Sequence, residues 1–320
     1  MHSDLHAQAD VPPAPAQAPA ATGVSSARAI LKAVRPHQWS KNVLVLVPLL
    51  TSHEVTNVAK VKVAAISFLA FCLCASGVYV VNDLLDREAD RLHPTKRYRP
   101  FASGALSPRV GLFLAVLLPL LAAGAALATG SIGFLGVLAA YYLCSSLYSL
   151  WLKNKLLLDV IVLAGLYTIR IIAGAVGISV PLSPWLLAFS MFLFLSLAFA
   201  KRYTELTLLQ DQAGKKKSRR NYTSDDLSMI ESVGPIGGYM AVMVLALYIN
   251  SDQVRTLYAT PAVLWLLCPL LLYWVTRVWF FAKRGALQDD PIRFALDDRV
   301  SIACGVVGLA VMLVGWKVRF

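Results

Sequence analysis

From residue 42 to residue 317 the chain is built of apolar runs separated by short polar connections, and nine of those runs approach the length of a membrane-crossing helix. Crossing a hydrocarbon layer of roughly 30 Å as helix takes about 20 apolar residues, because each backbone group buried in lipid must find its partner within the segment. The pattern predicts spans over 42–57, 62–82, 109–128, 131–151, 157–177, 184–203, 232–250, 261–281 and 300–317. The expectation is an all-α integral membrane bundle of nine transmembrane helices.

Charge placement orients that bundle. Basic residues fill the approach to the first span (Arg28, Lys32, Arg35, Lys41) and then every second connection: 87–109, Lys153 with Lys155, 201–220, and 283–299. The connections between carry none at Thr129 to Gly130 and at Ile178 to Ser183, and only Lys60, Lys62, Asp252 and Arg255 elsewhere. By the positive-inside bias the basic connections and the N-terminus are cytoplasmic, and Phe320 lies outside.

Composition agrees with this picture. Of 320 residues 58% are hydrophobic and 15% charged, with mean hydropathy +0.63, too apolar for a soluble globular domain of this size. The formal net charge of +12 sits mostly on one face, where anionic lipids or phosphorylated substrates would meet it. Basic loops between spans are a topogenic signal and no recognition fold accompanies them, so nucleic acid is not expected as a partner. All five cysteines fall in predicted spans, where a thiol behaves as a small hydrophobe. Residues 1–27, with Pro12, Pro13, Pro15 and Pro19 among alanines, are expected to be a disordered tail without signal-peptide character, leaving 28–320 as one transmembrane domain.

The most informative polar segment is Asn82-Asp83-Leu84-Leu85-Asp86-Arg87-Glu88-Ala89-Asp90, at the cytoplasmic end of the second span. On a continuous helix Asp83, Asp86 and Asp90 lie within roughly 60° of one another, while Glu88 points the other way. Carboxylates gathered on one face repel unless a cation stands among them, and hard oxygen ligands suit Mg²⁺, which usually brings a phosphorylated ligand. The competing reading is a solvated helix end whose acids pair with Arg87 and Arg91. Next comes His93-Pro94-Thr95-Lys96-Arg97-Tyr98-Arg99-Pro100, a stiff basic loop suited to phosphate oxygens and equally suited to topogenic charge.

Further candidates stand at cytoplasmic helix ends: Lys41, Tyr148 with Lys153, and Lys201, Arg202 and Glu205. For any single lysine, snorkelling to the headgroups explains the position equally well. Arg170 is different. It lies well inside the fifth span, so it either lines a cavity or pairs with an acid such as Asp159.

These residues resemble the UbiA superfamily of intramembrane prenyltransferases, nine-helix bundles with an Asn-Asp-x-x-Asp-x-x-x-Asp motif after the second helix; residues 82–90 match it fully and the resemblance runs from about Arg35 to Arg299. Aromatic prenyltransferases of that superfamily are expected to carry a second Asp-rich motif after the sixth helix, where this chain reads Lys201-Arg202-Tyr203-Thr204-Glu205. With Arg35-Pro36-His37-Gln38-Trp39 and His93-Pro94-Thr95-Lys96-Arg97, this looks like the decaprenyl-phosphate phosphoribosyltransferase branch. The resemblance implies phosphoribosyl pyrophosphate as donor and a polyprenyl phosphate lipid as acceptor. It implies Mg²⁺ held by Asn82, Asp83, Asp86 and Asp90, with Glu205 as a further ligand, and phosphates held by Lys96, Arg97, Lys201 and Arg202. Lys41, Arg99, Tyr148, Lys153 and Arg170 complete the expected substrate pocket. The alternatives are transfer of a prenyl group from a prenyl diphosphate to an aromatic acceptor and, from another class, a transporter. Transport fits less well, since the charge gathers at one face and the halves lack matching interrupted helices.

Overall fold

The computed structural model describes residues 26–213, 221–287 and 291–318. Among them every regular element is helical. The expected 1–27 tail lies outside the described residues except for Ser26 and Ala27, which open a helix instead of belonging to a disordered segment. Lys216 and Phe320, which fix the predicted topology, also lie outside them.

The helices are α1 (Ser26–Val34), α2 (Val47–Thr51), α3 (Val58–Leu85), α4 (Arg87–Arg91), α5 (Pro108–Ala128), α6 (Ile132–Leu150), α7 (Leu158–Gly177), α8 (Pro184–Ala213), α9 (Leu227–Ile249), α10 (Asp252–Leu257), α11 (Leu267–Lys283), α12 (Pro291–Asp297) and α13 (Arg299–Lys317). A 3₁₀ turn, Pro261–Leu266, leads into α11. Among the described residues eight helices are long and apolar enough to cross a membrane: α3, α5, α6, α7, α8 to Leu208, α9, Pro261–Lys283 and α13. They coincide with the second to ninth predicted spans. Side-chain oxygens of Asn57, Ser107, Ser131 and Asp298 accept from the amide three residues on and start α3, α5, α6 and α13.

The first predicted span, 42–57, takes another form. Its chain runs as a 3₁₀ helix, Pro36–Leu46, and then as the five-residue α2, and it is not one continuous α-helix. A 3₁₀ helix rises about 2.0 Å per residue, so the sixteen residues 36–51 extend about 30 Å and reach from one end of the bundle to the other. The segment runs antiparallel to α3: Trp39 Nε1 donates to Ser76 Oγ (3.0 Å) and Asn42 Nδ2 to Cys72 Sγ (3.3 Å). It also lies flush on α7, where a Cβ added at Gly174 would stand 1.9 Å from the Val45 carbonyl oxygen.

Burial separates inner from outer helices. In α3 and α7 61% of the spanning window is buried, against 17% in α6 and 11% in α13, which present Leu143, Leu147, Val306 and Leu309 to lipid. The charged helix ends collect at one end of the bundle, where α3, α6 and α11 finish and α7 and α13 begin. All five thiols are free.

Candidate active site

The α3 end does not continue as one helix. α3 stops at Leu85, Asp86 (φ −85°, ψ 3°) forms the joint, and the short α4 follows. Asp83 and Asp90 are buried (2% and 3% exposed) and are joined through one guanidinium, whereas Asp86 is more open, its side chain 44% exposed. Of the three carboxylates expected to converge, two are thus held together and Asp86 stands at the joint, where Asp86 N still donates to Asn82 O and Asp90 N to Asp86 O. Asn82, one residue before Asp83, is half-buried. The alternative pairing is corrected as well: Arg87 and Arg91 bind Glu88 instead of these acids.

Two arginines from separate segments hold the buried acids. Arg99 Nη1 lies 2.6 Å from Asp90 Oδ2 and 3.1 Å from Asp83 Oδ1, bridging them. Arg35 Nη2 contacts both oxygens of Asp83, at 2.6 and 2.8 Å. Arg35 is absent from the residues that the sequence alone singles out for the site. Its one signal is the Arg-Pro step: it stands after α1 with a left-handed backbone (φ 56°), and Pro36 starts the 3₁₀ segment. Lys96 and Arg97 stand beside Arg99 on the loop between Pro94 and Pro100, Lys96 half-buried and Arg97 exposed over the Tyr98 ring.

Across the mouth, the end of α6 reaches both acidic motifs. Lys153 Nζ stands 3.8 Å from Asp86 Oδ2, while Arg202 on α8 donates from Nη2 to Tyr148 Oη (3.2 Å). Arg202 is 1% exposed. Its Nε lies 2.6 Å from Asp159 Oδ2, and its Nη1 is paired with Glu205. Asp159, at the first turn of α7, also accepts from Tyr222 Oη at 2.7 Å. The guanidinium expected to grip phosphate is therefore already enclosed by two carboxylates. Lys201 and Lys41 are half-buried beside it and on the 3₁₀ segment.

Arg170 stands apart from this mouth. Twelve residues beyond Leu158 in α7, it donates from Nε to Asn42 Oδ1 (3.0 Å), from Nη1 to the Leu166 carbonyl and from Nη2 to Tyr141 Oη (3.3 Å). Three rings, Phe71, Tyr141 and Tyr167, surround its guanidinium carbon at 5.1 to 5.4 Å. The suggested pair with Asp159 does not form, since Asp159 binds Arg202. Arg170 ties the 3₁₀ segment to α7 in the interior of the bundle.

Among the described residues no group of three or more His, Cys, Asp and Glu side chains is arranged as a metal cage. The donor set nonetheless fits Mg²⁺, which commonly takes one or two carboxylates and completes its shell with water and substrate phosphate. Asp83 and Asp90 both present oxygens to one Arg99 nitrogen, so a single cation already reaches both.

Toward the opposite end, an apolar cavity of about 760 Å³ lies among α2, α8, α9, α11 and α13, with Leu186, Phe189, Leu271, Trp274 and Met312 in its wall.

Comparison with known proteins agrees with this architecture. The family model described as "UbiA prenyltransferase family" matches residues 45–296. "Nodulation protein NoeC" of Azorhizobium caulinodans is 37% identical over 283 residues, 88% of this chain and 91% of that one. "Decaprenyl-phosphate phosphoribosyltransferase" of Mycolicibacterium smegmatis is 35% identical over 285 residues, 85% of this chain and 87% of that one. A solved structure of a UbiA homolog from Archaeoglobus fulgidus bound to GPP and Mg²⁺ superposes with TM-score 0.62 at 15% identity, covering 91% of this chain and 100% of that one.

Proposed function

The chain belongs to the UbiA prenyltransferase family, and on that premise we propose that it is a Mg²⁺-dependent membrane phosphoribosyltransferase. It moves 5-phosphoribose from phosphoribosyl pyrophosphate to a polyprenyl phosphate and releases pyrophosphate. The observation that carries this reading is Arg202. Asp159 and Glu205 are both paired with it, and with Lys201 beside it these two carboxylates meet two cations, so neither stands open to a second metal. The cations expected to line the mouth are then Lys41, Lys96, Arg97, Lys153 and Lys201, of which Lys153 stands 3.8 Å from Asp86. An allylic cation with an aromatic acceptor gains little from such a lining. A phosphoribosyl donor and a lipid phosphate bring many negative charges and gain a great deal. The relatives named decaprenyl-phosphate phosphoribosyltransferase support the same choice.

Bound Mg²⁺ supplies charge stabilisation to the leaving pyrophosphate. Asp83 and Asp90 would hold it, with Asp86 and Asn82 at the rim. Arg35 and Arg99 fix the two buried acids that would hold it. Lys96 and Arg97 on the loop, and Lys153 opposite, orient the donor. The lipid phosphate is already anionic, so its oxygen attacks C1 of the ribose without a general base. Its tail lies between the helices of the bundle. The site faces the cytoplasm of a cell membrane, the side on which the basic connections gather.

Incubating purified protein in detergent with labelled phosphoribosyl pyrophosphate and a polyprenyl phosphate, and in parallel with labelled prenyl diphosphate and aromatic acceptors, tests the assignment. Label entering the lipid phosphate only in the first reaction is the expected result. Label transferred only from the prenyl diphosphate would overturn it.

A further inference from the structure

The charged groups of the cavity of about 760 Å³ gather at one end of it, and that end is the one away from the mouth. Along α11 and its 3₁₀ approach the wall runs from Leu264 to Trp274, about 15 Å of helix, or half of a hydrocarbon layer of roughly 30 Å. The depth is thus that of a single leaflet. At its inner limit Trp274 Nε1 donates to Ser301 Oγ (3.0 Å), so the indole N–H is already satisfied there. The start of α8 and the end of α9 supply more of the wall, in the half of the bundle opposite the Arg202–Asp159 pair.

The far rim carries charge of both signs. Glu54 and Lys60 line the cavity with their side chains 30% and 29% exposed. Lys60 Nζ donates to Glu54 Oε1 at 2.6 Å, and Asn57 Nδ2 to Glu54 Oε2 at 3.2 Å. An ammonium has three N–H donors and a carboxylate about four acceptor sites, so these contacts leave capacity on both residues. Ser52 Oγ, in the same rim, is buried and has no hydrogen-bond partner among the described residues. A buried hydroxyl left unpaired is unfavourable, which points to a ligand that reaches it.

The head of that ligand has to suit one carboxylate and one ammonium together. A phosphate gains at Lys60 and Ser52, but a purely anionic head is also repelled by Glu54. A head that carries an ammonium beside its phosphate answers both charges at once.

We propose that the cavity holds an acyl chain of a zwitterionic phospholipid from the leaflet opposite the mouth, with the lipid's phosphate on Lys60 and Ser52 and its ammonium on Glu54. The acceptor of the proposed reaction is a different occupant, because its phosphate belongs at the mouth and would leave this rim unfilled. A lipid held in this way does not depend on which reaction the mouth performs.

Native mass spectrometry of the full chain in detergent, titrated with phosphatidylethanolamine, phosphatidylglycerol or farnesyl phosphate, counts what is retained. The expected result is one tightly held phosphatidylethanolamine per chain, preferred about threefold or more over phosphatidylglycerol and not displaced by farnesyl phosphate. Glu54→Gln removes the ammonium's partner and should abolish or reverse that preference. At Gly308 on α13 an added Cβ would stand 3.6 Å from Leu270 and 3.8 Å from Leu267, both in the wall, so Gly308→Leu builds into the cavity at ordinary contact distance. It should weaken retention about tenfold or more, as displacing two buried methylenes would. Melting curves show whether each variant is folded, and Glu54→Gln, at a part-exposed position, keeps the test readable if Gly308→Leu does not fold. Equal retention of the two phospholipids by the parent, or an unchanged preference in Glu54→Gln, would overturn the proposal. So would a folded Gly308→Leu that holds lipid as the parent does. Displacement by farnesyl phosphate would overturn it as well and give the cavity to the acceptor's chain.

Discussion

Replacing Arg99 by Gln removes the one nitrogen that bridges Asp83 and Asp90. Asp83 keeps its contacts to Arg35, but Asp90, only 3% exposed, loses the ion pair at 2.6 Å. Removing one partner from a buried pair costs about 3–5 kcal/mol, whereas exposed pairs are worth at most about 1. Arg99 is 27% exposed while both acids are almost fully buried, which puts the expected cost between those limits, about 2–3 kcal/mol. For a chain of this size that is a fall in melting temperature of roughly 3–5 °C. Removing the guanidinium also leaves two carboxylates facing each other with nothing between them, so added Mg²⁺ should raise the variant's melting temperature more than the parent's. Thermal unfolding in detergent, with and without Mg²⁺, reads both effects. An Arg99→Gln protein that melts like the parent and responds to Mg²⁺ no more strongly would refute the argument that Arg99 stands in a cation-binding position.

Other expectations follow from single contacts. Asp86→Asn should leave the melting temperature within about 1–2 °C of the parent, because its contact to Lys153 is long and half-exposed, yet it should abolish Mg²⁺-dependent donor binding; normal binding by titration would remove Asp86 from the site. Gly174→Ala should lose more than about 3 kcal/mol or fail to fold, since the new methyl meets the Val45 carbonyl and backbone has little room to move, and a well-expressed, normally melting variant would contradict the flush packing of the 3₁₀ segment. Arg277 donates two hydrogen bonds to Asp298 at 2.7 and 3.0 Å and holds its carboxyl down at about 2. A lowered folded-state value stabilises above the ordinary carboxylate range and is lost as pH falls from about 4 through about 2, on the order of 1–2 kcal/mol after screening. Asp298→Asn should flatten that part of the acid melting profile, and an unchanged profile would show the pair to be inert.

Hydropathy and charge alternation carried much of this protein. Eight of the nine apolar runs are membrane-length helices near the expected limits, because lipid crossing is a length-and-composition requirement that each segment meets alone. The widest departure is α8, which is expected to end at Tyr203 and continues to Ala213. The motif at 82–90 and the cations at 96–99, 153 and 201–202 were likewise visible as residue types at helix ends. Three things were not. The first crossing is a 3₁₀ helix because α7 offers Gly174 and Arg170 offers Asn42 a partner, contacts made between residues 128 or more positions apart. Asp86 is left open while Asp83 and Asp90 are buried, because Arg99 from a separate loop draws those two together. Arg202 looks like a phosphate ligand in sequence and is a buried ion-pair centre in space, since Asp159 arrives from α7 and Tyr222 from the far side of a connection. A sequence sets what each segment must do in lipid; which charges cancel depends on distances between segments, and only the packed bundle fixes those.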